Sequence, residues 1–133
     1  MAKIKHIALS TQDPDATAKF YVDVFGMKQV GRIDNPNTSG YYLTDGDLNL
    51  AILKFKNDAV AGVERGKEWS GIHHFGFQVD DLEEAKQRVE AAGGKFFFTL
   101  GKSKDEANFE VKYKDPDGVI FDLSEKGWLG TSK

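Results

Sequence analysis

The sequence predicts an α+β protein made of two copies of a β-α-β-β-β module. Three observations carry that prediction. His6, Asp13 and Gly26 recur as His74, Asp81 and Gly94, all at one offset of 68 residues, and self-similarity at a fixed offset marks a repeated supersecondary unit. Within each copy the apolar period runs from strand-like to helical and back to strand-like. Turn signals, Asp45-Gly46 in the first copy and Asp115-Pro116-Asp117-Gly118 in the second, then separate pairs of strand-like runs. One compact domain is expected over 1–133. Module one covers about 3–55, a linker 56–70, module two about 71–125 and a C-terminal tail 126–133.

Ile4, His6 and Ala8 alternate with Lys5, Ile7 and Leu9, and both sets are mostly apolar after Lys5. That describes a well-buried strand. Asp13 is a natural N-cap, with Pro14 at the first helical position. Ala16, Phe20 and Val24 then recur every four residues, joined by Tyr21 and Phe25, as a core-facing stripe that Gly26 ends. KQVGRI and YYLTDGDLNLAIL supply the remaining strands of this module, with a polar turn around Asn35 to Gly40.

The linker KNDAVAGVERGKEWSG has room for a short helix. His74 to Val79 starts the second module as a strand. Asp81 caps a helix whose apolar stripe is Leu82, Ala85, Val89 and Ala92, and Glu84 completes a capping-box-like pattern. KFFFTL follows, then a charged loop from Gly101 to Asn108 that reads as a solvated segment, then FEVKYKDPDGVIFDLSE. The three consecutive phenylalanines read as packing: Phe97 on one face of a strand, Phe96 and Phe98 on the other. Trp128 lies in the tail, placed either to fold over the interior or an interface, or to fray with it.

The totals remove several functions. The chain has 133 residues, a net charge of −3 and a pI near 5.6. No basic stripe suits nucleic acid or an anionic membrane. Without cysteine there is no disulfide, thiolate site or cysteine nucleophile. MAKIKHIALS lacks the apolar run of a signal peptide. A soluble cytoplasmic protein is the expectation.

The stretch GIHHFGFQVDD holds two adjacent histidines, and on a strand they point to opposite faces. The repeat chooses between them. His74 matches His6, and when the two hairpins are aligned on each other Asn49-Leu50 falls on Asp122-Leu123 with one residue of slippage. His73 matches only Lys5, whose charge reads as a solvent-facing or edge position. So the ligand candidates are His6, His74 and Asp122, with Asn49 as a fourth position. A single histidine on an apolar strand is usually a hydrogen-bonded core residue. Two of them in repeat-equivalent places, with a carboxylate inside a strand, point to a metal. Two imidazoles and one carboxylate suit iron, zinc, nickel, cobalt or manganese and leave positions open for substrate.

These residues are similar to those of a known family. KHIALS, HHFGFQV, FYVDVFGMK and DPDGVIFDLSE resemble the vicinal oxygen chelate superfamily from about Lys3 to Glu125. That superfamily includes glyoxalase I, methylmalonyl-CoA epimerase, extradiol dioxygenases and antibiotic-resistance proteins. The resemblance implies two modules whose sheets pair into a cupped mixed sheet around a divalent metal. It implies His6, His74 and Asp122 as ligands and a homodimer. It implies a lyase, isomerase or dioxygenase acting on a substrate chelated through vicinal oxygens. The alternative is a metal-free binding or resistance protein using the same interior.

Two departures stand out. Asp122 replaces the family's glutamate and is one methylene shorter. Asn49 stands where glyoxalase I has a carboxylate that also acts as a base, and asparagine cannot do so. Tyr42 and Tyr113 are the candidates for an acid–base group of the dioxygenase kind, although both read first as packing residues.

Overall fold

A computed structural model describes residues 1–132. The elements are β1 (Lys3–Ser10), α1 (Pro14–Phe25), β2 (Lys28–Asp34), β3 (Thr38–Thr44), β4 (Asn49–Phe55), α2 (Asp58–Ala61), β5 (Gly71–Gln78), α3 (Leu82–Ala91), β6 (Lys95–Leu100), β7 (Glu110–Lys114) and β8 (Ile120–Ser124). This is the expected α+β pattern twice over, with the short α2 in the linker. The strands hydrogen-bond in the order β2-β3-β4-β1-β5-β8-β7-β6. β5 and β8 are parallel, whereas β2-β3, β3-β4, β6-β7 and β7-β8 are antiparallel, so the sheet is mixed. The order begins at β2 and ends at β6 without closing. No helix among the described residues is long and apolar enough to cross a membrane.

The chain forms two compact units, one of Met1–His6 with His74–Trp128, the other of Ile7–His73 with the residues from Leu129 on. In the first unit Leu82 of α3, with Ala85 and Val89, packs on Val111, Tyr113 and Leu123. The Asp81 carboxylate accepts the Glu84 backbone N–H at 3.0 Å, the expected cap. Replacing Asp81 by alanine is expected to cost about 1 kcal/mol, read by urea unfolding.

Odd-numbered Val111 and Tyr113 face this core, so strand alternation sends Glu110 and Lys112 to the opposite face. The Asp115 to Val119 turn sets the register of β7 and β8 and places Lys112 directly across from Asp122. Lys5, expected at solvent, is instead buried. β1 has hydrogen-bonded strands on both sides rather than an exposed edge. β6 also departs from expectation. Its register against β7 shifts between Phe96 and Phe98, which pair with Tyr113 and Lys112 respectively. That irregularity breaks simple alternation and parts Phe96 and Phe98, which were expected to share a face.

In the second unit Ala18 packs with Leu43 and Ile52, and Tyr21 and Met27 lean on them. Of the expected stripe of α1, only Tyr21 does this. Phe20, Val24 and Phe25 are 54%, 56% and 68% exposed. α1 carries apolar residues around much of its circumference, and the small Ala18 is what lets its backbone approach the strands. His73 also belongs here. Its Nε2 lies 2.6 Å from the Ala61 carbonyl and its ring 4.5 Å from that of Phe55, which accounts for it as a packed, hydrogen-bonded residue.

Candidate metal centre

Three strands of the first unit bring His6, His74 and Asp122 together. β1 carries His6, β5 carries His74 and β8 carries Asp122. Gly76 is registered with Asp122 across the parallel β5-β8 pair, so His74, two residues earlier on β5, shares the face of Asp122. His6 Nε2 and His74 Nε2 are 3.3 Å apart. Asp122 Oδ2 lies 3.5 Å from the first and 3.2 Å from the second. All three side chains are buried.

This donor set fits a divalent ion on two grounds. Metal–ligand bonds of about 2.0–2.1 Å place neighbouring donor atoms roughly 2.9–3.4 Å apart, so the triangle needs only tenths of an ångström of adjustment. Asp122 Oδ2 is also the one buried side-chain polar atom, among the described residues, without a hydrogen bond. A buried carboxylate oxygen with no hydrogen bond keeps a lone pair that a cation would take up.

Two charged residues that sequence reasoning missed adjoin the triangle. Lys112 Nζ donates to Asp122 Oδ1 at 2.8 Å, pairs with Glu110 Oε2 at 3.0 Å and lies 3.3 Å from His74 Nε2. An ammonium has three donors and no acceptor, so His74 Nε2 receives the third hydrogen bond. Burial by itself would drive the proton off Lys112, but the Asp122 and Glu110 carboxylates outweigh it and hold the pKa above the ordinary lysine value. Glu110 Oε1 accepts the indole N–H of Trp128 at 2.6 Å and lies 3.7 Å from His6 Nε2. The signal for these two residues was present in FEVKYK. The hairpin turn fixes which β7 residue faces Asp122, but alternating charges on a strand read first as a solvated face.

Trp128 closes over His6. The rings stack at 4.7 Å with only 7° between their planes. Of the two placements open to the tail, the first is the one found. Gly76 makes it possible, because a Cβ there would lie 2.7 Å from the Trp128 ring and 3.2 Å from the Cβ of His6. Phe98, across from Lys112, has its ring centroid 5.8 Å from Nζ and forms part of the same wall.

The remaining candidates have partners of their own. Asn49 opens β4 in the second unit, fully buried, and its amide nitrogen donates to the Leu129 carbonyl at 2.9 Å. Tyr113 faces the helix-side core, and its hydroxyl donates to Glu90 Oε2 at 3.0 Å. Burial, and then the Glu90 carboxylate, push its pKa up to about 12, which suits a packing residue rather than a proton donor. Tyr42 packs against the Ala8, Ala51 and Leu53 cluster.

Residues 3–123 match the family model described as the Glyoxalase/Bleomycin resistance protein/Dioxygenase superfamily. The chain is similar to a probable chloroplastic lactoylglutathione lyase of Arabidopsis thaliana, 32% identical over 94% of this chain and 36% of that protein. It is 28% identical to a lactoylglutathione lyase of Haemophilus influenzae, covering 92% of both chains. The chain thus spans about a third of the length of the Arabidopsis relative and nearly all of the bacterial one. Among solved structures, methylmalonyl-CoA epimerase of Mycobacterium tuberculosis superposes with a TM-score of 0.73 at 18% identity, over 95% of this chain and 87% of that one, a likeness of fold.

Proposed function

Because the chain belongs to the glyoxalase/bleomycin resistance protein/dioxygenase superfamily, we propose that it is a metal-dependent enzyme acting on a small substrate through two neighbouring oxygens, and that its chemistry is of the lyase or isomerase type. The single observation that carries the reading is Asp122 Oδ2, buried without a hydrogen bond and within 3.5 Å of two imidazole nitrogens. A divalent ion held there supplies Lewis acidity to the two substrate oxygens.

The chain's own groups have distinct tasks. His6 and His74 offer lone pairs from Nε2, and Asp122 offers the negative charge. Trp128 fixes the plane of the His6 ring by stacking on it. Lys112 ties down Oδ1 and so turns Oδ2 towards the histidines. Lyase action is preferred over oxygenase action because curated relatives at 28–32% identity carry the name lactoylglutathione lyase. The exposed Phe20, Val24 and Phe25 on α1 support a homodimer.

The test is metal content by mass spectrometry, in the protein and in a His74→Ala variant. Near-stoichiometric zinc, nickel, cobalt or manganese, lost in the variant, is expected. Absence of metal from both proteins after soaking would overturn the reading. Turnover of methylglyoxal with glutathione, set beside catechol under air, then separates lyase from oxygenase action. A metal-free binding protein is the second reading, favoured by Lys112, which pairs with both carboxylates without any ion. Ligand binding that survives complete chelation would select it.

A further inference from the structure

We infer that Lys112 is a resident counter-ion which a divalent metal must displace from His74, so that this lysine weakens metal binding at the centre. The inference rests on the reading that His6, His74 and Asp122 hold a divalent ion.

The geometry has two parts. On one side Lys112 leaves Asp122 able to ligate, because its ammonium sits on Oδ1 at 2.8 Å and Oδ2 has no hydrogen bond. On the other side it occupies what a metal needs from His74. Its Nζ lies 3.3 Å from His74 Nε2, the same nitrogen that lies 3.2 Å from Asp122 Oδ2 and 3.3 Å from His6 Nε2. A lone pair that accepts an N–H cannot at the same time bind a cation. Metal entry therefore has to break the Lys112–His74 hydrogen bond while the bonds to Asp122 and Glu110 stay in place.

Charge adds to this. The protein around Lys112 is buried, so its positive charge acts on an incoming dication with little screening. A cationic donor on a ligating carboxylate also withdraws electron density from it, the reverse of the carboxylate and carbonyl partners that make ligands more basic. Glu110 keeps the lysine in position. It offers a second carboxylate 3.0 Å from Nζ, and Trp128 anchors that carboxylate from its other oxygen at 2.6 Å. Without an ion, the lysine gives the buried carboxylates their compensating charge. The protein can then stay folded while unloaded, at the expense of affinity.

The experiment is titration of metal-stripped protein with cobalt(II), followed by its d–d absorption and by calorimetry, at one fixed pH. Wild type is compared with Lys112→Met, Lys112→Gln and Lys112→Arg. Both neutral variants are expected to bind cobalt at least tenfold more tightly than wild type. The arginine variant, which keeps the charge, is expected to stay within threefold of it. Lys112→Gln serves if Lys112→Met does not fold, since its amide can still hydrogen-bond both carboxylates. Saturable binding by a neutral variant where wild type shows none would also support the inference. Equal or weaker binding by the neutral variants, with wild type still binding, overturns the inference and leaves the metal reading standing. No saturable binding by wild type or by either neutral variant overturns both.

Discussion

Replacing Asp122 by alanine is expected to cost about 3–5 kcal/mol of stability, the range for breaking a buried ion pair from one side. For a domain of this size that is a fall of roughly 10–20 °C in Tm. The cause is what the substitution leaves behind. Lys112 keeps its charge but loses its closest partner, at 2.8 Å, and retains Glu110 as its one carboxylate beside the neutral acceptor His74. The ammonium is buried, so water cannot take over that role. The same change removes the carboxylate of the candidate metal centre, so cobalt binding should vanish with it. Asp122→Asn keeps the shape and one acceptor but not the charge, and should fall between wild type and alanine on both scales. Thermal unfolding of the metal-stripped proteins isolates the first effect. A loss below about 1 kcal/mol for Asp122→Ala would mean that Lys112 reaches solvent and that the pair is no stronger than a surface ion pair.

Trp128→Ala is the second large change. Removing a buried tryptophan costs about 3–5 kcal/mol in its own right, and here it also strips Glu110 Oε1 of the indole donor at 2.6 Å. The consequence reaches the candidate metal centre, because the same ring lies flat on His6. With the ring gone, and no Cβ on Gly76 to take its place, the His6 imidazole loses its stacked neighbour. Two readouts separate the roles. Urea unfolding should report the full loss for alanine, and about 1–3 kcal/mol for Trp128→Phe, which keeps a stacking ring but not the N–H. Cobalt affinity should fall in Trp128→Ala and be largely restored in Trp128→Phe. An affinity unchanged in the alanine variant would show that His6 is held by other contacts.

Much of this protein was legible without coordinates. Strand alternation and helix capping are local rules, and a repeat offset is arithmetic on the chain. They sufficed for both β-α-β-β-β modules, for the Asp13 and Asp81 caps, and for the expectation that His6, His74 and Asp122 would meet while His73 turned away. Each depends only on a residue's neighbours along the chain or on its counterpart one repeat later.

What remained hidden depends on residues far apart in sequence. α1 has apolar side chains on several faces, and only packing against Leu43 and Ile52 selects the one through Ala18, leaving Phe20 and Phe25 outside. The register shift near Phe97 arises from pairing with β7. Glu110 and Lys112 look like a solvated strand face until β8 sets Asp122 across from them and Trp128 folds onto His6. A charged side chain is read as exposed by default because burying it alone is costly. Whether it is alone is decided by the tertiary structure, which here closes a lysine, two carboxylates and two histidines into one network.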